Sequence, residues 1–246
     1  WVGDEGSSRR PEKVTIQLKK GGVLLEEKEA NESNNWKVTF TDLEKYDDNG
    51  DEIVYTVDEK EDLEFYTKTV VGNVITNTFT VPDDKVQITG IKNWNDNSNE
   101  AGKRPTSITL QVKNGENVVQ EQTVTEAMNW QYTFELPKYD SLGNEITYTI
   151  DEKETGSKFY VKEKIEGYTV TNKFEVPNET VEITAEKNWN DNNNEAQKRL
   201  SSVTLQIKNG TNIVQEQVVS EANNWKHTFT NLPKYDRLGN EINYTV

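Results

Sequence analysis

The sequence predicts an all-β chain built from tandem antiparallel β-sandwich repeats, with about seven strands in each complete repeat. Three observations carry that prediction. The chain repeats itself: Trp1, Trp94 and Trp189 lie 93 and 95 residues apart, and Trp36, Trp130 and Trp225 lie 94 and 95 apart. Apolar residues alternate with polar ones at a period of two, which is the spacing of a half-buried strand and not of a helix. Turn residues bound each alternating run, so the strands are short and return on themselves.

The repeat is visible in whole phrases. QVKNGENVVQEQTVTEAMNW, from Gln111, returns from Gln206 as QIKNGTNIVQEQVVSEANNW. KYDSLGNEITYTI, ending at Ile150, returns as KYDRLGNEINYTV at the C-terminus and as KYDDNGDEIVYTV in the first copy. Boundaries fall near Val81-Pro82-Asp83-Asp84 and Val176-Pro177-Asn178-Glu179. These short, Pro-bearing links predict a stiff connection between neighbouring repeats. Three domains follow: 1–82, expected to lack its first strand; 83–177, complete; and 178–246, expected to lack its C-terminal strands.

In the complete repeat the alternation places strands at 86–94, 106–113, 117–125, 129–135, 145–152, 158–164 and 168–175. Asn114-Gly115 and Asn209-Gly210 suit tight hairpins between the second and third of these strands. Seven short strands in one such repeat read as an antiparallel sandwich, Ig-like or prealbumin-like.

Composition narrows the function. Only 32% of the 246 residues are hydrophobic, too few for one large core but compatible with several small ones. The chain carries 43 acidic against 28 basic side chains, a net charge of −15. That balance argues against nucleic acid, which needs clustered Lys and Arg, and against an anionic membrane surface as partner. No apolar run reaches the length of a membrane-spanning helix. With no cysteine and one histidine, disulfides, thiolate chemistry and zinc have no residues to work with. His227 takes the place of Val38 and Tyr132 in the other repeats, a packing position. The runs Asn95–Glu100 and Asn190–Glu195 offer oxygen ligands for calcium, but they lack the EF-hand spacing and its required Gly, and Asx-rich turns between strands explain them without metal. No cofactor or metal is expected, and no set of residues suggests a turnover enzyme.

The strand phase singles out three polar residues. Lys92 shares a face with Val86, Ile88 and Trp94; Glu152 with Ile146, Tyr148 and Ile150; Asn172 with Tyr168, Val170 and Phe174. The other repeats keep the phase where they keep the strand: Lys187 beside Trp189, Glu59 after Tyr55 and Val57, Asn77 between Ile75 and Phe79. Buried charges and amides need partners. One reading is a buried Lys–Glu ion pair that holds the Asn by a hydrogen bond. The other is covalent: a Lys made neutral by burial attacks the Asn carboxamide while a protonated Glu moves the protons. The residues alone leave both open.

The run KNWNDN…GKRPTSITLQV, followed by NW.YTF.LPKYD..GNEI.YT.DE and YTVTNKF.VP, resembles the B-type repeats of Gram-positive collagen adhesins, the Cna B-like domains. The resemblance spans essentially the whole chain. It implies an isopeptide between Lys92 and Asn172 promoted by Glu152, with Glu59 and Asn77, and separately Lys187, as incomplete copies of that site. It further implies a structural stalk segment, extracellular and anchored to a Gram-positive cell wall, that projects a distal domain toward a host matrix protein. Neighbouring repeats would be its other partners. The alternative is that the repeats themselves bind host matrix, by strand addition at a sheet edge.

Overall fold

A computed structural model describes residues 1–154 and 156–246. Seventeen strands and four short 3-10 turns make up its regular structure, with no α-helix among the described residues. The first repeat holds β1 (Lys13–Lys20), β2 (Val23–Asn31), β3 (Tyr55–Glu59), β4 (Tyr66–Val71) and β5 (Val74–Phe79). The second holds β6 (Lys85–Asn95), β7 (Ser107–Asn114), β8 (Asn117–Thr125), β9 (Gln131–Pro137), β10 (Tyr148–Lys153), β11 (Tyr160–Glu166) and β12 (Thr169–Phe174). The third holds β13 (Thr180–Glu186), β14 (Val203–Asn209), β15 (Asn212–Val219), β16 (Lys226–Pro233) and β17 (Tyr244–Thr245). By contact density the chain divides into two compact units, 1–88 with 134–148, and 89–133 with 149–246.

The seven predicted strands of the second repeat are all present. They form a four-stranded sheet in the order β11-β12-β6-β9 and a three-stranded sheet in the order β10-β7-β8. One pairing departs from the antiparallel expectation: β6 and β12, the first and last strands of the repeat, run parallel, with Val170 opposite Lys92 and Asn172 opposite Trp94. The alternation buries Ile108, Leu110 and Val112 on β7, Val124 on β8, Phe134 and Leu136 on β9, and Ile150 on β10. In the third repeat Ala185, Leu205, Ile207, Val219, Trp225, Phe229 and Leu232 form one cluster. His227 is half-buried, its ring 4.7 Å from that of Phe229, as its packing position implied.

Local chemistry accounts for the ends of the strands. Asn114 pairs with Asn117, so the hairpin loop is Gly115-Glu116 and the glycine takes the left-handed first position that the tightest hairpins require. Asn209 pairs with Asn212 in the same way. β10 begins at Tyr148 rather than 145, because Ile146 donates its N–H to Lys138 O and Glu145 bridges to Tyr139 across a turn. The alternation places Tyr168 inside, but Glu166 pairs with Thr169, so Tyr168 sits in the intervening turn and is 43% exposed.

Candidate functional site

Lys92, Glu152 and Asn172 come together in the interior of the second repeat. Lys92 lies near the C-terminal end of β6, Glu152 on β10 and Asn172 on β12. Because β6 and β12 are parallel and offset, Lys92 and Asn172 are diagonal neighbours on one face. The main chain of Lys92 is fixed by its N–H, which donates to Trp130 O at 2.8 Å. Trp130 itself follows Asn129 in the left-handed region, at φ 56°, which is costly for a bulky residue and recurs at Trp36 and Trp225.

All three side chains are buried: Lys92 is 3% exposed, Glu152 and Asn172 4% each. The Lys92 Nζ stands 3.2 Å from Glu152 Oε2, and Asn172 Nδ2 donates to Glu152 Oε1 at 3.2 Å. One carboxyl therefore touches both the amine and the amide, each through a different oxygen. The Lys92–Glu152 approach lacks hydrogen-bond alignment, and Lys92 Nζ, Glu152 Oε2 and Asn172 Oδ1 are buried without a hydrogen-bond partner. Lys92 and Glu152 stand within ion-pair distance, so this geometry accommodates the ion pair as well as the covalent reading.

The surroundings favour the neutral forms. Burial pulls the Lys92 ammonium down to about 8, against the pull of Glu152 in the other direction. Burial also pushes the Glu152 carboxyl up, opposed by Lys92 and Asn172. The wall is aromatic: Lys92 Nζ lies 4.4 Å from the centre of the Trp94 ring, and Trp94 meets Trp130 and Tyr160 edge-on at 5.1 and 5.0 Å. A π face alone would favour the cation, but desolvation is the larger effect here. The ionised neighbour, Asp151, is occupied by Lys113 and Lys162 at 2.6 and 2.5 Å. Chemically, an amine able to lose its charge, a carboxyl able to keep its proton and a carboxamide share one buried site.

The other repeats hold parts of this set. Glu59 and Asn77 are buried, 3% and 5% exposed, and Asn77 Nδ2 donates to Glu59 Oε2 at 2.8 Å. Burial raises the Glu59 carboxyl, and its Oε1 has no hydrogen-bond partner. Glu59 borders a cavity of about 660 Å³ whose walls include Trp1, Leu18, Phe40 and Ile75. Lys187 follows β13, donates its N–H to Trp225 O at 2.9 Å and places Nζ 4.8 Å from the Trp189 ring centre. Neither partial set brings an amine to a carboxyl.

Sequence reading missed a clamp beside the site. Arg104 grips Asp96 with Nε at 2.9 Å and Nη2 at 2.7 Å, and Tyr160 OH donates to the same carboxylate at 2.8 Å. Asp96 is 8% exposed; burial raises its carboxyl, but Arg104 and Tyr160 together bring it below the usual range. The Arg104 guanidinium lies 5.3 Å from the Trp94 ring centre, covering the wall of the Lys92 pocket. Arg10, Asp4 and Tyr66 repeat the arrangement in the first repeat, and Arg199 with Asp191 in the third. Asp96, the carboxylate that calcium in the Asn95–Glu100 loop would use, is thus engaged by an arginine.

The sequence profile of the Cna protein B-type domain matches residues 1–78, 88–173 and 183–246. A collagen adhesin of Staphylococcus aureus is 36% identical over 257 residues, covering 99% of this chain and 20% of the relative. The chain therefore spans about a fifth of that relative's length. The crystal structure of two B repeat units of the collagen binding protein of Staphylococcus aureus shares 32% identity, covering 99% of this chain and 65% of that one, at a TM-score of 0.41. A single B repeat unit of that protein shares 33% identity, covering 70% of this chain and 92% of that one, at a TM-score of 0.34. With three matches in series accounting for most of its length, the chain belongs to the family of Cna protein B-type domains.

Proposed function

We propose that the chain is a stalk segment of a bacterial cell-surface adhesin, in which the second repeat closes its own isopeptide bond between Lys92 and Asn172. The observation that carries the reading is the bridging carboxyl: Glu152 Oε2 stands beside the amine and Oε1 beside the amide nitrogen that must leave. Neutral Lys92 Nζ attacks Asn172 Cγ. The carboxyl takes a proton from Nζ at one oxygen and gives one to Nδ2 at the other. The C–N bond to Nδ2 breaks, ammonia departs, and Glu152 is returned with its proton. The reaction happens once and is not turned over, so the protein is no enzyme.

The domains are 1–82, 83–177 and 178–246, and the setting is extracellular, on the cell wall of a Gram-positive bacterium. A distal domain would meet the host matrix. In the first repeat Glu59 and Asn77, and in the third Lys187, are parts of the same chemistry without a full set. The acidic surface keeps neighbouring stalks apart.

The test is the intact mass of the denatured chain. One bond expels one ammonia, a deficit of about 17 Da from the sequence mass, and peptide mapping should place it between Lys92 and Asn172. An unshifted mass would return the site to a buried ion pair.

A second reading has its own observation. The edge strands β2, β8 and β15 expose apolar residues at matching places: Leu24 and Leu25, Val118 and Val119, Ile213 and Val214. Such edges suit strand addition by a matrix protein. Saturable binding of this chain alone to a collagen-coated surface would favour that reading over the stalk.

A further inference from the structure

The turn between β16 and β17 ends in a glycine whose missing side chain is replaced by a ring from the second repeat. In that turn Asp236 Oδ1 accepts from Leu238 N at 2.8 Å and from Asn240 N at 2.9 Å, Tyr235 bridges to Glu241, and Gly239 takes φ 72°. Phe159 fills the space above the glycine: a Cβ on Gly239 would stand 2.8 Å from Phe159 Cε1, closer than real Cβ atoms come. Phe159 also meets the Tyr235 ring edge-on at 5.6 Å, and Lys158 Nζ donates to Tyr235 OH at 2.6 Å. At the rim Arg237 pairs with Glu100 at 2.9 Å.

The same joint is built a second time from equivalent residues. Gly143, at φ 80°, lies under Phe65, where a Cβ would come to 3.2 Å, and Phe65 meets Tyr139 edge-on at 5.1 Å. Arg9 supplies the base, 4.3 Å from the Phe65 ring centre and donating to Gly143 O; its counterpart in the second repeat is Lys103, 5.6 Å from the Phe159 ring centre and donating to Asn240 Oδ1 at 3.1 Å. A third copy of the turn, Tyr46–Glu52, has the same internal bonds: Asp47 accepts from Asn49 N and Asp51 N, both at 2.9 Å, and Gly50 takes φ 84°. No ring sits there. A Cβ on Gly50 would meet nothing within 4 Å, and Tyr46 is 53% exposed where Tyr139 and Tyr235 are 9% and 6%. The turn thus holds its shape without a guest, so the glycine's positive φ and the seating of the ring are separable.

We propose that this Tyr-Asp-x-x-Gly turn is a docking socket whose partner is the aromatic end of another B-type repeat, a phenylalanine accompanied by a base, and that Phe159 in the Tyr235–Gly239 socket fixes the second and third repeats in one orientation. The aromatic contact supplies the attraction and the absent Cβ supplies the fit. This rests on the chain's repeat organisation and not on the isopeptide.

The test uses the full chain. Gly239→Asn keeps a residue that tolerates left-handed φ but adds the Cβ that displaces Phe159. Cleavage at Glu175 and Glu179, in the link between the repeats, by a glutamate-specific protease should speed up roughly tenfold or more once the socket empties. Gly50→Asn makes the same change in the open copy and should leave that cleavage rate unchanged. Phe159→Ala, which leaves the turn untouched, should reproduce the Gly239→Asn rate, and combining the two should add nothing. Wild-type cleavage in both Gly239→Asn and Phe159→Ala would overturn the proposal. So would equal acceleration by Gly50→Asn, which would trace the effect to turn strain.

Discussion

Lys92 and Asn172 sit two places out of register on neighbouring parallel strands, with Val170 opposite the first and Trp94 opposite the second. That offset leaves room between their side chains for the carboxyl of Glu152, which arrives from the other sheet on β10. A directly opposed pair would leave no place for a carboxyl between the amine and the amide.

Glu152→Gln should therefore abolish the mass deficit. Glutamine keeps the volume and a hydrogen-bonding end but cannot cycle a proton between Nζ and Nδ2. The expected readout is a denatured mass equal to the sequence mass, against wild type lighter by about 17 Da. A retained deficit in this variant would remove Glu152 from the reaction.

Loss of the bond should also cost stability. A cross-link that closes a loop of about 80 residues stabilises by roughly 4–5 kcal/mol in the chain-entropy account developed for disulfides. Lys92→Met, which cannot form the amide, should unfold its second repeat at markedly lower denaturant than wild type. Denaturant melts followed by tryptophan fluorescence measure this, since Trp94 and Trp130 flank the site.

Asn172→Ala traps the unlinked Lys92–Glu152 pair and exposes its titration. Below about pH 8 Lys92 is protonated both folded and unfolded, and the folded state bears the full penalty of burying it. Between about 8 and 10.5 the unfolded chain keeps that proton and the folded one does not, so stability rises with pH across this window. The gain is about 3 kcal/mol at most, from ~1.4 kcal/mol per unit. Denaturant midpoints at pH 7 and 10, compared with those of Lys92→Met/Asn172→Ala, isolate it. A flat difference would show that burial does not depress Lys92.

The three site residues were legible because a period of two assigns faces, and one polar residue per buried stripe is conspicuous in a chain so rich in alternation. Alternation says nothing about which strand lies beside which, so the parallel β6–β12 pair needed the structure. It also fails where backbone leaves the strand: Tyr168 and Ile146 keep the phase but sit in turns. The Asp96–Arg104–Tyr160 clamp joins an irregular loop to β11, and the Asp-to-Arg spacing differs in the first repeat, so no periodic signal marked it. The sequence showed an Asx-rich loop; the structure shows what its aspartate holds.

That clamp yields a graded prediction. Asp96→Ala leaves the largely buried Arg104 guanidinium and Tyr160 hydroxyl without their partner, a loss of roughly 3 kcal/mol. Asp191→Ala breaks the equivalent pair where the carboxylate is more open, 28% exposed against 1%, and should cost clearly less. Parallel denaturant melts of the two variants rank them.

The same parallel register decides how the second repeat answers tension. The chain enters at the N-terminal end of β6 and leaves at the C-terminal end of β12, and parallel pairing puts those points at opposite ends of the pair. Pulled apart, the two strands are loaded in shear. With the amide in place the covalent path runs along β6 to Lys92, crosses to Asn172 and leaves along β12. Residues 93–171 then hang outside that path and feel no tension. In a single-molecule pulling experiment on the full chain, wild type should show no extension event from this segment. Glu152→Gln should add one that releases roughly 280 Å, at up to ~3.6 Å per residue. If wild type extends by that same length, the strands alone carry the force, and the covalent basis of the stalk falls.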